Sequence, residues 1–415
     1  MKLKKTSGRA SWIRIAWGAL IVGVITGAFL SGYYLPTSDE LTFSAERTSQ
    51  SEDSDIVEEM PEPAINPTPD QPVRISFAAM GDMLAHDTII ANARSGGAYN
   101  FERYFEQIRP LYTGSDVVFC NQEGPSAGST YGITGYPSFN APVEFAAGLR
   151  NGAGCNVINL ANNHIADKGV AALDATLDVW DGLKPYAVSG ANRSATQQQR
   201  VPVFDQEGKK IAVLAFADFN NNSAAPSYAV NLYANTSLVE SLFAQAQEQA
   251  DLVVVSMHWG VEDSSAVSAT QSAQVDRLAA LGADVVIGTG PHVLQKVETV
   301  TRPDGNDMLV WYSLGNLLSS QLNVPQLIGG VAQFDIVFDQ KGIRFDSLGF
   351  VPTYMHYEWT AAERNAGSLL SRKNAMIYPL KDAATPLSRS LFNTTVAEQQ
   401  QYVQRILANT QVSIK

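Results

Sequence analysis

The chain has 415 residues, 45% hydrophobic and 17% charged, a composition that excludes a wholly disordered protein. With 29 Lys+Arg against 41 Asp+Glu the net charge is −12, so the basic footprint needed for general binding to nucleic acid is missing. Two cysteines, Cys120 and Cys155, exclude a disulfide-dense scaffold and a zinc site of four thiolates.

The first element is an uncharged run of 21 residues, Ile15 to Leu35, long enough to cross a bilayer as a helix. Lys2, Lys4, Lys5, Arg9 and Arg14 precede it, and Asp39 and Glu40 follow. This asymmetry predicts a cytoplasmic start and a main domain outside the cell. The run is longer than a usual signal-peptide core, so an uncleaved single-pass anchor over 1–35 is favoured over a cleaved signal peptide. Residues 36–72 carry ten acids, one base (Arg47) and six prolines, which predicts an extended, self-repelling tether. The remainder keeps 23 bases against 31 acids and is acidic on its own.

From Val73 short, continuous apolar runs recur at 73–80, 116–120, 155–161, 211–217, 251–257 and 284–288. Continuity rather than alternation predicts strands buried on both faces. Helical patterns lie between several of them, at 101–109, 143–150, 169–183, 238–249 and 269–281. The alternation predicts an α/β domain over 73–358. After Pro291 the strands pair as hairpins, 295–301 with 307–314 and 331–339 with 343–352, so the sheet system is expected to be mixed. Residues 359–415 read as an extension with a terminal helix over 396–408. Cys120 and Cys155 fall in or beside buried strands and are read as packed thiols rather than ligands, with a disulfide open to them outside the cell.

Polar residues stand just beyond these runs: Asp82, Glu123, Asn162, Asn163, His164, His258 and His292. The carboxyl ends of strands are where open α/β sheets bind ligands. Of only five histidines, three follow such strands and His86 comes shortly after a fourth. Carboxylate, amide and imidazole donors suit Mn, Fe, Zn or Mg ions, and a binuclear centre of this kind clamps a phosphoester and activates water. Each residue also has a structural reading. Asp82 could cap a helix, and Asn162, Asn163 and His164 could fix a turn.

In order along the chain, GDMLAHD (81–87), the stretch to NQEGP (121–125), GYPSFNAP (135–142), NVINLANNHIADKG (156–169), SMHWGVE (256–262), GTGPHVLQKVE (288–298) and WYSLGNLL (311–318) resemble the CapA/PgsA family of capsule (poly-γ-glutamate) biosynthesis proteins. The resemblance implies a metallophosphatase (calcineurin)-like sandwich of mixed β-sheets flanked by helices. It implies Asp82, Glu123, Asn163, His258 and His292 as metal ligands. His164 would be a proton donor or phosphate contact, oriented by Asp167. His86, Asn162, Trp259 and Glu262 would line the substrate side. Two departures stand out: the Asp-x-His opening of active metallophosphatases is absent, and the family's His-Pro-His reads Gly290-Pro291-His292. The expected occupancy is therefore one divalent ion or none.

Three functions follow, in order of expectation. The first is a membrane-anchored factor that handles an anionic exopolymer outside the cell. The second is an extracellular metal-dependent phosphoesterase. The third is a non-catalytic partner of a membrane polymer synthase.

Overall fold

The apolar runs owe their continuity to burial on two sides. In the strand Lys209–Ala217, Ile211, Val213, Ala215 and Ala217 point into a core shared by two sheets, while Ala212, Leu214 and Phe216 point the other way, under helices. The helices Thr236–Gln249 and Ala269–Leu281 cover that outer side with Leu238, Leu242, Phe243, Val275 and Leu278. Period-2 side-chain alternation thus places apolar residues on both faces of one strand.

The computed structural model describes residues 71–408 and 410–415. The expected membrane span over 15–35 and nearly all of the tether lie outside the described residues. Among the described residues no helix is long and apolar enough to cross a membrane.

The first sheet is built on β1 (Val73–Leu84), β2 (Val117–Glu123), β3 (Val157–Asn159) and β4 (Ala187–Ser189), which run parallel in that spatial order. The second contains β5 (Val203–Gln206), β6 (Lys209–Ala217), β7 (Leu252–His258), β8 (Val285–Thr289), β9 (Val297–Thr301) and β10 (Asp307–Trp311). Its order is β9-β10-β8-β7-β6-β5, with β6, β7, β8 and β10 parallel and the two edge strands antiparallel. The chain then returns to the first sheet. β11 (Asn316–Leu318) pairs with the end of β1 on the edge away from β2, and the hairpin of β12 (Ile328–Asp339) and β13 (Gly342–Glu358) adds along the rest of that same edge. Both expected hairpins are present, and the sheets are mixed.

Three expectations change. The stretch 101–109 forms short 3₁₀ turns, Glu102–Phe105 and Arg109–Leu111, with Pro110 inside the second, because proline has no amide to continue a helix. The segment after 358 is no appendage. β14 (Lys373–Pro379) and β15 (Ser413–Ile414) both pair with β13, and the described residues form one compact unit. Its helix Val396–Ile406 starts in a capping box, Thr395 with Glu398, and seats Val403 in the core. Finally, Cys120 and Cys155 are not free thiols but form a disulfide, with Cα atoms 5.8 Å apart. Parallel pairing of β2 with β3 sets Cys120 opposite Ile158, close to the start of β3, and the bond joins the two strands.

Candidate metal centre

The site forms where the carboxyl ends of the two sets of parallel strands converge. Gly81 makes room for it. A Cβ there would stand 1.9 Å from the Gly315 carbonyl oxygen, to which the Asp82 amide donates at 3.0 Å. This close approach sets Asn316 in register with Asp82. Asp82 is fully buried and well supplied with donors. Its Oδ1 accepts from Asn121 Nδ2 at 2.8 Å, and both oxygens accept from the Gly290 amide at 3.2 and 3.1 Å. Gly290 has φ +104°, a conformation that a side chain would strain.

His292 Nδ1 faces Asp82 Oδ2 at 3.1 Å and Asn316 Oδ1 at 3.0 Å. Two oxygen acceptors at one nitrogen assign a proton to Nδ1. The other nitrogen, Nε2, stands 3.7 Å from Glu123 Oε1. On the opposite side His258 Nε2 lies 3.8 Å from the same Oε1 and 3.0 Å from Asn163 Oδ1. His258 Nδ1 is fixed by the Thr289 hydroxyl at 3.0 Å. Glu123 is buried, yet neither carboxylate oxygen has a hydrogen-bond partner among the described residues.

These placements set the charges. Burial pushes the Glu123 carboxyl up to about 7, with the Asp82 charge adding to it and His292 opposing. Burial also works against ionised Asp82, but the hydrogen bond and charge of His292 outweigh it and hold Asp82 below the usual range. His292, despite its own burial, is raised to about 10 by the Glu123 and Asp82 charges. His258 is pushed down to about 3 by burial and is neutral.

A metal ion fits this donor set. One ligand atom from each of Asp82, Glu123 and His258 lies within 4.8 Å of the others. A buried carboxylate with no donor is costly unless a cation neutralises it. The approaches of 3.7 and 3.8 Å are too long for hydrogen bonds. They are ordinary for donors that share one ion. The oxygen and imidazole donors suit a divalent metal.

Beside this cluster lies a second constellation. Asp167 Oδ2 faces His164 Nδ1 at 2.7 Å and accepts from the Phe139 amide at 2.8 Å. The Phe139 ring stands edge-on to His164, centroids 4.7 Å apart. Burial lowers the basicity of His164, but the hydrogen bond and charge of Asp167, with the Glu123 charge, raise it above its ordinary value. Asn221 Nδ2 approaches both ring nitrogens, at 3.2 and 3.5 Å.

Residues 76–321 match the family model described as "Bacterial capsule synthesis protein PGA_cap". The chain belongs to that family. It is 25% identical over 254 residues to the PGA biosynthesis protein CapA of Bacillus subtilis, covering 60% of this chain and 64% of that protein. To the Capsule biosynthesis protein CapA of Bacillus anthracis it is 27% identical over 259 residues, covering 60% of each. The match thus spans less than two thirds of either relative. Among solved structures, a novel phosphatase from Mycoplasma pneumoniae aligns with TM-score 0.41 and 13% identity, over 68% of this chain and 94% of that one. The 5'-nucleotidase of Candida albicans aligns with TM-score 0.37 and 11% identity, over 65% of this chain and 52% of that one.

The structure brings Asp82, Glu123, Asn163, His258 and His292 into one cluster, with His164 and Asp167 beside it. His86 is half-buried at the edge; its Nδ1 accepts from the Ser320 amide at 3.3 Å, and its ring stands edge-on to Phe139. Burial first, then the cations of His292 and Arg372, push it down to about 3. Glu262 is exposed at the rim, near enough to act on the Glu123 and His292 charges.

Two side chains are placed otherwise than expected. Asn162 is buried with its amide committed to backbone, donating to Gln122 O at 2.8 Å and accepting from the Gly124 and His164 amides at 3.3 Å. Its role is to tie the ends of β2 and β3. Trp259 is buried in the core of the second sheet, stacked on Tyr312 and donating to Tyr312 O at 2.8 Å. Sequence reasoning missed Asn121, Asn159, Thr289, Asn316 and Asn221. Asn159 Nδ2 donates to Asn121 Oδ1 at 2.9 Å, continuing the chain of bonds that ends on Asp82. For Asn121, Asn159, Thr289 and Asn316 the signal was present as polar residues inside otherwise apolar strands, whereas Asn221 stands in a loop four residues past Ala217 and gave no such signal.

Proposed function

We propose that this chain acts in the assembly of an anionic capsule-type exopolymer, of the poly-γ-glutamate kind, at the outer face of the membrane. A divalent ion held by Asp82, Glu123 and His258, with His292 and Asn163 alongside, forms its working centre. The observation that carries this reading is the buried Glu123 carboxylate, without a hydrogen-bond donor and set between two imidazoles. When bound, such an ion supplies Lewis acidity toward a phosphoryl or carboxylate oxygen. The chain's own contribution is positional. Thr289 and Asn316 fix the imidazoles, and Asp167 orients His164 so that it holds a proton beside the centre.

The names of the relatives support the polymer, and the basic-flanked apolar run at 15–35 supports a single-pass anchor with the main domain outside. The Cys120–Cys155 disulfide agrees with an oxidising compartment. A membrane-embedded polymer synthase is the fitting partner. Nucleic acid is not, given the charge of −12.

One observation favours a second reading, a binding module without catalysis: the Gly290 amide already engages both Asp82 oxygens. Elemental analysis of the purified protein separates the two. Near-stoichiometric divalent metal in wild type, lost in Asp82→Ala, is expected. Equal, negligible metal in both proteins would overturn the metal centre and leave the binding module.

A further inference from the structure

Charge divides this domain sharply. Residues 73–358 carry 16 bases against 28 acids, whereas 359–415 carry 7 against 3. The basic segment is fastened beside the centre. Thr88 Oγ1 donates to Leu369 O at 2.9 Å, and Asn92 Nδ2 donates to Arg372 O at 2.8 Å. The Arg372 guanidinium donates to the carbonyl and, at 3.2 Å, the hydroxyl of Ser320, the residue whose amide donates to His86. Ser320 therefore joins the edge of the centre to the basic segment.

Arg372 lies over the rings of Tyr357 and Trp359, 4.8 and 5.5 Å from their centroids. Those two rings, with Phe392 and Leu322, wall an open cavity of about 310 Å³. Exposed leucines, Leu369 and Leu391, flank it. Arg364 also lines it, held only by a bond of 3.4 Å to Leu391 O, and no carboxylate pairs with it among the described residues. The cavity connects to the centre through Gln321 and Asn316: Tyr357 Oη donates to Gln321 O at 2.7 Å, and the Gln321 side chain accepts from Asn316, which in turn contacts His292.

We infer that this cavity is a subsite for an acidic chain whose carboxylates are separated by apolar spacers, a stretch of polymer beside the centre. A guanidinium pairs with a carboxylate in a fork geometry, while aromatic and leucine walls take methylene groups. The strongly acidic remainder of the domain repels a polyanion, so the basic segment is where such a chain can rest. The inference rests on the exopolymer reading above and names where the polymer is gripped.

The test is fluorescence anisotropy of the full-length protein with a labelled γ-linked decaglutamate. Wild type binds the probe, and Arg364→Glu weakens it about tenfold, the loss expected for one charge-assisted contact. Lys341→Glu makes the same change of charge in the turn between β12 and β13, near the start of β1 and away from the centre. It leaves the affinity within about twofold, because distant exposed charges are screened. Metal content stays unchanged in both variants, and thermal melts confirm that both fold. Equal weakening by the two variants, or wild type that ignores the probe, overturns the subsite. Binding through Arg364 in a protein that carries no metal would sink the centre and keep the subsite. A metal-loaded protein indifferent to the probe would do the reverse.

Discussion

The floor of the cleft and its C-terminal wall are both built from buried charge, yet they neutralise it in opposite ways. On the floor, Asp82 is surrounded by donors from Asn121, Gly290 and His292, while Glu123, close by, has none. In the wall, Arg372 is nearly as buried but is satisfied by carbonyl and hydroxyl oxygens and two aromatic faces. A cation can be housed by neutral oxygens and π-faces. A carboxylate needs donors or a cation, and of the two on the floor Glu123 is the one left without donors. The contrast separates a side chain that holds structure together from one kept open for a ligand.

The most severe way to break this contrast is Glu123→Gln, which is expected to abolish bound metal in elemental analysis. It should also raise the stability of the metal-free protein at pH 8, by about 1–3 kcal/mol, since it removes an unsatisfied buried charge. The sign follows from linkage. The folded carboxyl titrates at about 7, above its ordinary 4.5, so its contribution is present at low pH and lost as pH rises through 7. A variant that keeps its metal would erase the distinction between floor and wall. Cys155→Ala comes next. Opening a link across 35 residues is expected to cost about 2–4 kcal/mol in denaturant melts, and no loss would mean the bond does not form. In the wall, Arg372→Ala should cost about 1–2 kcal/mol and leave the metal content unchanged. Metal loss in that variant would show that wall and floor are one unit.

A subtler effect sharpens the floor itself. Because Glu123 is half-protonated near pH 7 without metal, metal affinity should fall as pH drops below 7. Calorimetry in buffers of different ionisation enthalpy should detect, at neutral pH, a fraction of a proton released from Glu123 and about one more from His292, which is raised to about 10 and must give up its Nε2 proton to face an ion. His258, already neutral because burial holds it near 3, should add little to that release. The smallest effect belongs to the exposed ion pairs. Arg277→Ala, which removes the contact to Glu240 at 3.1 Å, should change stability by less than about 1 kcal/mol.

Much of this architecture was legible in the order of residues. Continuous apolar runs marked the strands, and polar residues just after them marked the cluster, since strand ends and ligand sites coincide in such folds. The structure brings the side chains of Asp82, Glu123, Asn163, His258 and His292 within reach of one another. Asn162 and Trp259 did not reach the substrate side because hydrogen bonding and packing claimed them first. A sequence pattern places a residue at a strand end without stating which way its side chain turns.

The chain order of its residues by itself determined the alternation of strands and helices, the later hairpins and the family, because these depend on local periodicity and on ordered motifs. Tertiary structure alone decided that the two cysteines bond, that two strands from the last fifty-odd residues join the first sheet, and that Glu123 lacks a donor. Each of these depends on contacts between stretches far apart in the chain, whose distances no local pattern encodes.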